Sequence, residues 1–331
     1  MSEHSIILEA IELKKHFPLR EGFFARATRA VHAVDGVNLV LYEGETTALV
    51  GESGCGKSTT GKLLLRLIEP TSGQVRFMGR DLLRVEGGEL LQLRQQLQII
   101  FQDTLASLNP RKTILQILTK PFSLRGDQKA DGTRQAPELL ELVGLSPPHL
   151  YLNRHPHELS GGQRQRVGIA RALALHPKVV VADEPVSALD MSVKAQILAL
   201  MKRLQAQFKL SYLFITHDLS VARSLATQVG VMYLGLIVEQ GSVEELFSNP
   251  LHPYTQALLS SVPIPNPRLA RNRKTMILKG DLPSPIDPPK GCRFHTRCPM
   301  AMARCSAEEP VLREKELGHS VACFLHEGST S

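Results

Sequence analysis

The sequence predicts an α/β fold: a parallel-strand core, an antiparallel β group before it, a helical insertion and a proline-rich C-terminal extension. Three observations carry that prediction. The runs Thr46-Thr47-Ala48-Leu49-Val50, Val179-Val180-Val181-Ala182 and Tyr212-Leu213-Phe214-Ile215-Thr216 lack polar alternation, as strands buried on both faces do. Apolar residues at helical spacing fill roughly 88 to 175, broken at Asn109-Pro110 and Pro147-Pro148. Beyond about residue 250, Pro253, Pro263, Pro265, Pro267, Pro283, Pro285, Pro288 and Pro289 mark a segment that reads as neither regular helix nor central strand.

At 331 residues the chain is too long for one ordinary core, which suggests a main domain over 1–250 and an appendage over 251–331. With 43% hydrophobic and 21% charged residues its composition is globular, and no apolar run reaches the 18 or so residues that a bilayer span needs. Met1-Ser2-Glu3-His4-Ser5 has no basic segment followed by an apolar core, so a cytosolic location is expected. The net charge of +7 comes without a long Lys/Arg block or basic stretch interleaved with aromatics, which argues against nucleic acid as a partner.

Taken in order, Ile6-Ile7-Leu8-Glu9-Ala10 and Ala30-Val31-His32-Ala33-Val34 flank a loop around residues 19–29 and read as the antiparallel strand group. The strand at 46–50 then runs into Gly51-Glu52-Ser53-Gly54-Cys55-Gly56-Lys57-Ser58-Thr59, and helical character follows from Ser58 to Leu65. Glycines at these intervals let backbone N–H groups curl around phosphate oxygens, with the helix N-terminus adding its dipole. Lys57 would reach the β- and γ-phosphates and the Ser58 hydroxyl would ligate Mg²⁺. Asp183 and Glu184, at the end of a buried strand, lie at the carboxyl edge of the sheet; Asp183 would hold Mg²⁺ and Glu184 would orient or deprotonate water. Gln102 and His217 each follow a strand-like run, and taken singly each is compatible with an ordinary polar residue at a strand end. Leu159-Ser160-Gly161-Gly162-Gln163 has the form of a helix start able to bind an anion.

These elements in this order resemble the ATP-binding cassette (ABC) ATPases over residues 6 to 250. The resemblance implies a RecA-like core sheet with an antiparallel β subdomain and a helical subdomain. It makes Gly51 to Thr59 the Walker A loop, with Gly51, Ser53, Gly54, Gly56, Lys57, Ser58 and Thr59 on the nucleotide. By the same resemblance Gln102 is the Q-loop residue and a ligand of Mg²⁺ beside Ser58 and Asp183. Leu159 to Gln163 is then the signature, with Ser160, Gly161, Gly162 and Gln163 on a nucleotide, and Ser187-Ala188-Leu189-Asp190 is the D-loop. His217 is the switch histidine, catalytic with Glu184 and Gln102, and Phe17 stacks on adenine. The signature of one cassette faces the Walker A loop of another in this family, so a chain with a single set needs a second ATPase subunit. Cassette proteins of DNA repair split the fold with long coiled coils and ribosome-acting ones carry two cassettes; this chain does neither.

The tail adds Cys292, Cys298, Cys305 and Cys323, whose intervals of five, six and seventeen residues lack the two-residue chelate pair of zinc ribbons. Clustered cytosolic cysteines suit a tetrathiolate site for iron–sulfur or zinc, and this spacing favours [4Fe-4S], with unliganded buried thiols as the remaining reading. Arg293, Arg297 and Arg304 are expected to offset thiolate charge, the cluster is expected to brace a tail with little core of its own, and Cys55 is set apart as a small residue of the phosphate loop. Together with His252-Pro253-Tyr254-Thr255-Gln256-Ala257-Leu258-Leu259, Leu282-Pro283-Ser284-Pro285, Gly235 and Ser107-Leu108-Asn109-Pro110-Arg111, the cysteines resemble the dipeptide and oligopeptide permease group. That resemblance implies a peripheral ATPase on the cytoplasmic face of the inner membrane, working with two transmembrane permease subunits and an extracytoplasmic peptide-binding protein. Cargoes compatible with this architecture are dipeptides and short oligopeptides first, then nickel, glutathione or antimicrobial peptides.

Overall fold

Thr46–Val50 is buried at all five positions, as a strand covered on both faces must be. The computed structural model describes residues 5–19, 29–125, 129–262, 276, 278, 280–316 and 318–327. Its strands are β1 (Ile6–Leu19), β2 (Arg29–Tyr42), β3 (Thr46–Val50), β4 (Ser72–Phe77), β5 (Arg80–Asp81), β6 (Leu97–Ile100), β7 (Val179–Asp183), β8 (Ser211–Thr216), β9 (Gln228–Tyr233), β10 (Leu236–Ser242), β11 (Arg313–Glu316) and β12 (His319–Val321). The chain divides into two compact units, one of Met1–Ile7, Leu41–Glu45 and Arg84–Phe214, the other of Leu8–Val40, Thr46–Leu83 and Ile215–Ser331. Residues after 250 therefore fall in the same unit as the phosphate loop.

In the first unit β6 lies parallel to β7, with Leu97 opposite Val179 and Ile100 opposite Ala182, and β8 is the next strand beyond β7. Helices Gly87–Gln96, Thr104–Ser107, Ile114–Arg125, Lys129–Leu142, His149–Leu152 and Gly161–Leu173 occupy the expected insertion, with β6 inside it. Its breaks fall where proline dictates: Asn109-Pro110 lies between two helices and Pro148 immediately precedes a third. Leu118, Phe122, Leu140, Val167 and Ile169 supply buried apolar side chains on these helices.

In the second unit an antiparallel sheet runs β2-β1-β4-β5, with Leu8 opposite Phe77, as the early strand group predicts. The expected loop around 19–29 lies almost wholly outside the described residues. β3 pairs in parallel with β9, Thr47 opposite Gln228, and β10 continues antiparallel from β9. The tail extends this sheet: β12 pairs with β10 and β11 with β12.

Two expectations about the tail are corrected. Pro253 begins a regular helix, Pro253–Ser261, at the first helical position, where the missing N–H costs nothing and His252 Nδ1 accepts the Tyr254 N–H at 3.0 Å. Pro263, Pro265 and Pro267 lie outside the described residues. Nor is the tail without a core, because Phe294 is 1% exposed and packs at 5.2 and 5.4 Å from the rings of Tyr233 and Tyr254, themselves fully buried.

Candidate active site

The phosphate loop, in the second unit, joins the buried β3 to the helix Lys57–Leu64. Gly56 adopts φ 108°, and a Cβ there would come within 2.1 Å of the Ala33 carbonyl oxygen, so only glycine fits. Lys57 is 4% exposed and its Nζ donates to the carbonyls of Gly51 and Glu52, each at 2.8 Å. Cys55 is buried with its Sγ 3.7 Å from that ammonium, and burial pushes its thiol pKa up. Ser53 and Gly54 are exposed on the loop, Ser58 and Thr59 half-buried on the helix. His217 stands exposed directly after β8, and Phe17, 39% exposed on β1, carries the Lys15 ammonium 5.0 Å from its ring centre.

The first unit brings Gln102 and Glu184 together. Asp183 ends β7 and is 6% exposed; Glu184 follows at φ 45°, a left-handed conformation that a non-glycine residue adopts at a cost. Gln102 Nε2 donates to Glu184 Oε2 at 3.0 Å, so the second residue after β6 and the first after β7 meet at the ends of two parallel strands. The amide donor fixes the orientation of this carboxylate.

Ser160 caps the helix Gly161–Leu173 as expected, accepting the Gln163 N–H at 3.3 Å, while the Gln163 side chain accepts the Ser160 N–H at 2.9 Å. Gly161 and Gly162 form the first helical turn behind that cap. Asp190 caps Met191–Phe208, accepting the Val193 N–H at 3.0 Å and the Ser192 hydroxyl at 2.7 Å; those bonds, the backbone one first, lower its pKa. Both helix starts are thus built by short polar side chains on backbone N–H groups.

The four tail cysteines form one electrostatic group. Burial raises the Cys292 and Cys323 thiols to about 11 and raises Cys298 as well, with the charges of neighbouring cysteines adding in each case. Backbone N–H groups point at the sulfurs, from Phe294 and His295 to Cys292, Met300 to Cys298, Leu325 to Cys323 and Met302 to Cys305. Such donors favour thiolates, but buried thiols this close hold their protons unless metal supplies positive charge. The arginines do not supply it, contrary to expectation: Arg293 pairs with Asp35, Arg297 with Glu52, and Arg304 with Glu308 and Glu327. Each guanidinium finds a carboxylate, a partner whose fork it matches. The donor set therefore fits a metal centre. No three of the four sulfurs lie within 4.8 Å of one another, whereas sulfurs around one tetrahedral zinc stand about 3.8 Å apart.

Sequence reasoning misses the residues that hold the phosphate loop from outside. The Tyr254 hydroxyl accepts the Glu52 N–H at 2.9 Å, and Arg297 grips the Glu52 carboxylate with both terminal nitrogens, at 2.8 and 3.1 Å. Asp35 receives Arg293, His16 and His32, and although burial pushes its carboxyl up, these partners hold it down at about 2. Nothing in a linear motif marks these pairs.

Residues 34–187 match the family described as ABC transporter, and residues 238–305 match the oligopeptide/dipeptide transporter C-terminal region. The oligopeptide transport ATP-binding protein AppF of Bacillus subtilis is 52% identical over 322 residues, 97% of either chain. OppF of Salmonella typhimurium is 48% identical over 98% of this chain and 97% of its own, and the dipeptide transport ATP-binding protein DppF of Haemophilus influenzae is 49% identical over 98% of both. Among solved structures, the dimeric post-hydrolysis state of the ATP-binding cassette MJ0796 bound to ADP and Pi superposes with a TM-score of 0.62 at 29% identity, covering 72% of this chain and 99% of that one.

Proposed function

This chain belongs to the ATP-binding cassette family, among the oligopeptide and dipeptide transport ATP-binding proteins, and from that membership we propose that it is the ATP-hydrolysing subunit of a peptide importer. It works with a second ATPase subunit, two transmembrane permeases and an extracytoplasmic peptide-binding protein, on the cytoplasmic side of the membrane. Among the described residues no helix is long and apolar enough to cross a membrane, which agrees with a peripheral place beneath the permeases. The observation that carries the hydrolytic reading is Glu184, held in a left-handed conformation directly after Asp183 with Gln102 on its carboxylate.

The residue roles follow the family pattern. Gly51, Ser53, Gly54, Gly56, Lys57 and Thr59 would cradle the phosphates, Ser58, Asp183 and Gln102 would be the Mg²⁺ ligands, and Phe17 would stack on adenine. Mg²⁺ bound with ATP would supply positive charge against the phosphate oxygens. Glu184 orients the attacking water and takes its proton, while Gln102 fixes that carboxylate and His217 contacts the γ-phosphate. Ser160, Gly161, Gly162, Gln163 and Asp190 act on the nucleotide of the second subunit. Glu184→Gln keeps the hydrogen bond but removes the base, so the variant is expected to bind ATP as wild type does while turnover in the assembled transporter falls at least about 100-fold. Unchanged turnover would reject the role of Glu184.

For the tail we propose a [4Fe-4S] cluster on Cys292, Cys298, Cys305 and Cys323, supported by the N–H donors aimed at the sulfurs. Metal and sulfide analysis of anaerobically purified protein is expected to give about four iron and four sulfide per chain, lost on Cys298→Ser. Zinc in place of iron would refute the cluster and leave the ATPase reading standing.

A further inference from the structure

Glu52 is an acid placed where a polyphosphate is to bind. Its carboxylate is the one negative side chain between Gly51 and Thr59, and a bare charge there opposes an anionic ligand. In the structure it is never bare. Arg297 takes both carboxylate oxygens, at 2.8 and 3.1 Å, through a side chain only 9% exposed. The Arg297 guanidinium in turn lies 6.0 Å over the ring of Tyr233.

The main chain of Glu52 is fixed at both ends as well. Its N–H donates to the Tyr254 hydroxyl and its carbonyl accepts from Lys57 Nζ. Tyr254, Tyr233 and Phe294 pack as one buried aromatic group, and Phe294 lies three residues before Arg297 in the same tail segment. A second arginine of that segment, Arg293, donates to the Leu234 carbonyl at 2.6 Å and pairs with Asp35, whose N–H bonds the Gly235 carbonyl; the Gly235 N–H bonds the Cys55 carbonyl in the phosphate loop. The segment Arg293–Arg297 thus touches the loop directly at Glu52 and through two intermediates at Cys55.

We infer that Arg297 is a positioning residue of the nucleotide site: it holds Glu52 aside and neutral so that the phosphate loop can receive a polyphosphate. The inference rests on the ATPase reading and makes the tail a working part of the nucleotide site. It also gives a signed prediction that loss of packing alone does not. Removing Arg297 frees a repelling carboxylate; removing Glu52 frees a cation beside the loop; removing both leaves neither.

The test measures binding of fluorescent ATP, ADP and AMP analogues to the full-length wild type, Arg297→Gln, Glu52→Gln and the double variant. Arg297→Gln is expected to weaken the ATP analogue roughly tenfold, and the AMP analogue less, because the unpaired charge acts on phosphate charge. Glu52→Gln stays within about threefold of wild type, and adding it to Arg297→Gln restores the affinity to that level. Arg297→Gln within twofold of wild type, or a double variant as weak as Arg297→Gln, overturns the inference. Should Arg297→Gln fail to fold, Arg297→Lys carries the same test, since it keeps charge but gives up the bidentate fork, and its weakening must again be reversed by Glu52→Gln. A wild type that binds no nucleotide rejects the ATPase reading instead.

Discussion

Gly162 is a helical glycine whose substitution should act through one neighbour. A Cβ there would meet Val193 Cγ1 at 2.6 Å, with the other Val193 carbons at 3.8 Å and nothing else in its three nearest contacts. Val193 lies in the first turn of Met191–Phe208, where a β-branched side chain has essentially one rotamer, so it cannot swing clear. Overpacking of this kind costs about 1–3 kcal/mol, against a helix-propensity gain of about 1 kcal/mol for Ala over Gly. Gly162→Ala is therefore expected to be destabilising by about 1 kcal/mol in the wild type and stabilising by a few tenths or more in a Val193→Ala background. Denaturant unfolding of the four chains of this cycle measures both numbers, and the coupling should fall at about 1–3 kcal/mol. Equal destabilisation by Gly162→Ala in both backgrounds would refute the steric account.

Three further outcomes follow from the tail and the caps. Burial pulls the His252 imidazole pKa from 6.5 to about 4, so the unfolded chain binds the extra proton between those values and stability falls as pH drops through that window, by about 3 kcal/mol in all. His252→Asn keeps a capping acceptor for the Tyr254 N–H and should flatten the melting temperature against pH between 6.5 and 5; an unchanged slope rejects the assignment. His319 works in the opposite window: its hydrogen bond to Glu239 raises its pKa, so its contribution is full below 6.5 and is lost as pH rises through the raised value, a loss absent in His319→Gln. Asp190→Ala removes two hydrogen bonds at a helix start and should lower the denaturant midpoint of unfolding, with Asp190→Ser recovering most of the loss.

What was legible in the sequence was local. Strand, glycine loop and helix at 46–64 follow from a five-residue apolar run, three glycines and a lysine, all within one stretch of chain, and β7 ending in Asp183-Glu184 follows in the same way. The Ser160 cap was legible because capping is set by neighbours three residues apart. The meeting of Gln102 with Glu184, 82 residues apart, is a consequence of β6 and β7 pairing in register, which no single motif encodes. Pro253 was misread because proline excludes a helix interior but favours a helix start, and only the capping geometry of His252 separates the two.

The tail was least legible because its contacts with the phosphate loop are long-range. Tyr254 and Glu52 are 202 residues apart and Arg297 and Glu52 are 245 apart, yet these bonds bear on the shape of the phosphate loop. Read by composition, residues after 250 look like an appendage; read by packing, Tyr254 and Phe294 complete the core that Tyr233 begins at the end of β9, the strand paired with β3. A strand that ends in the phosphate loop is thus packed, one strand removed, against aromatic residues of the tail. The stretch from Cys292 to Cys298 thus carries both Phe294, buried in that core, and Arg297, paired with Glu52 beside the phosphate loop.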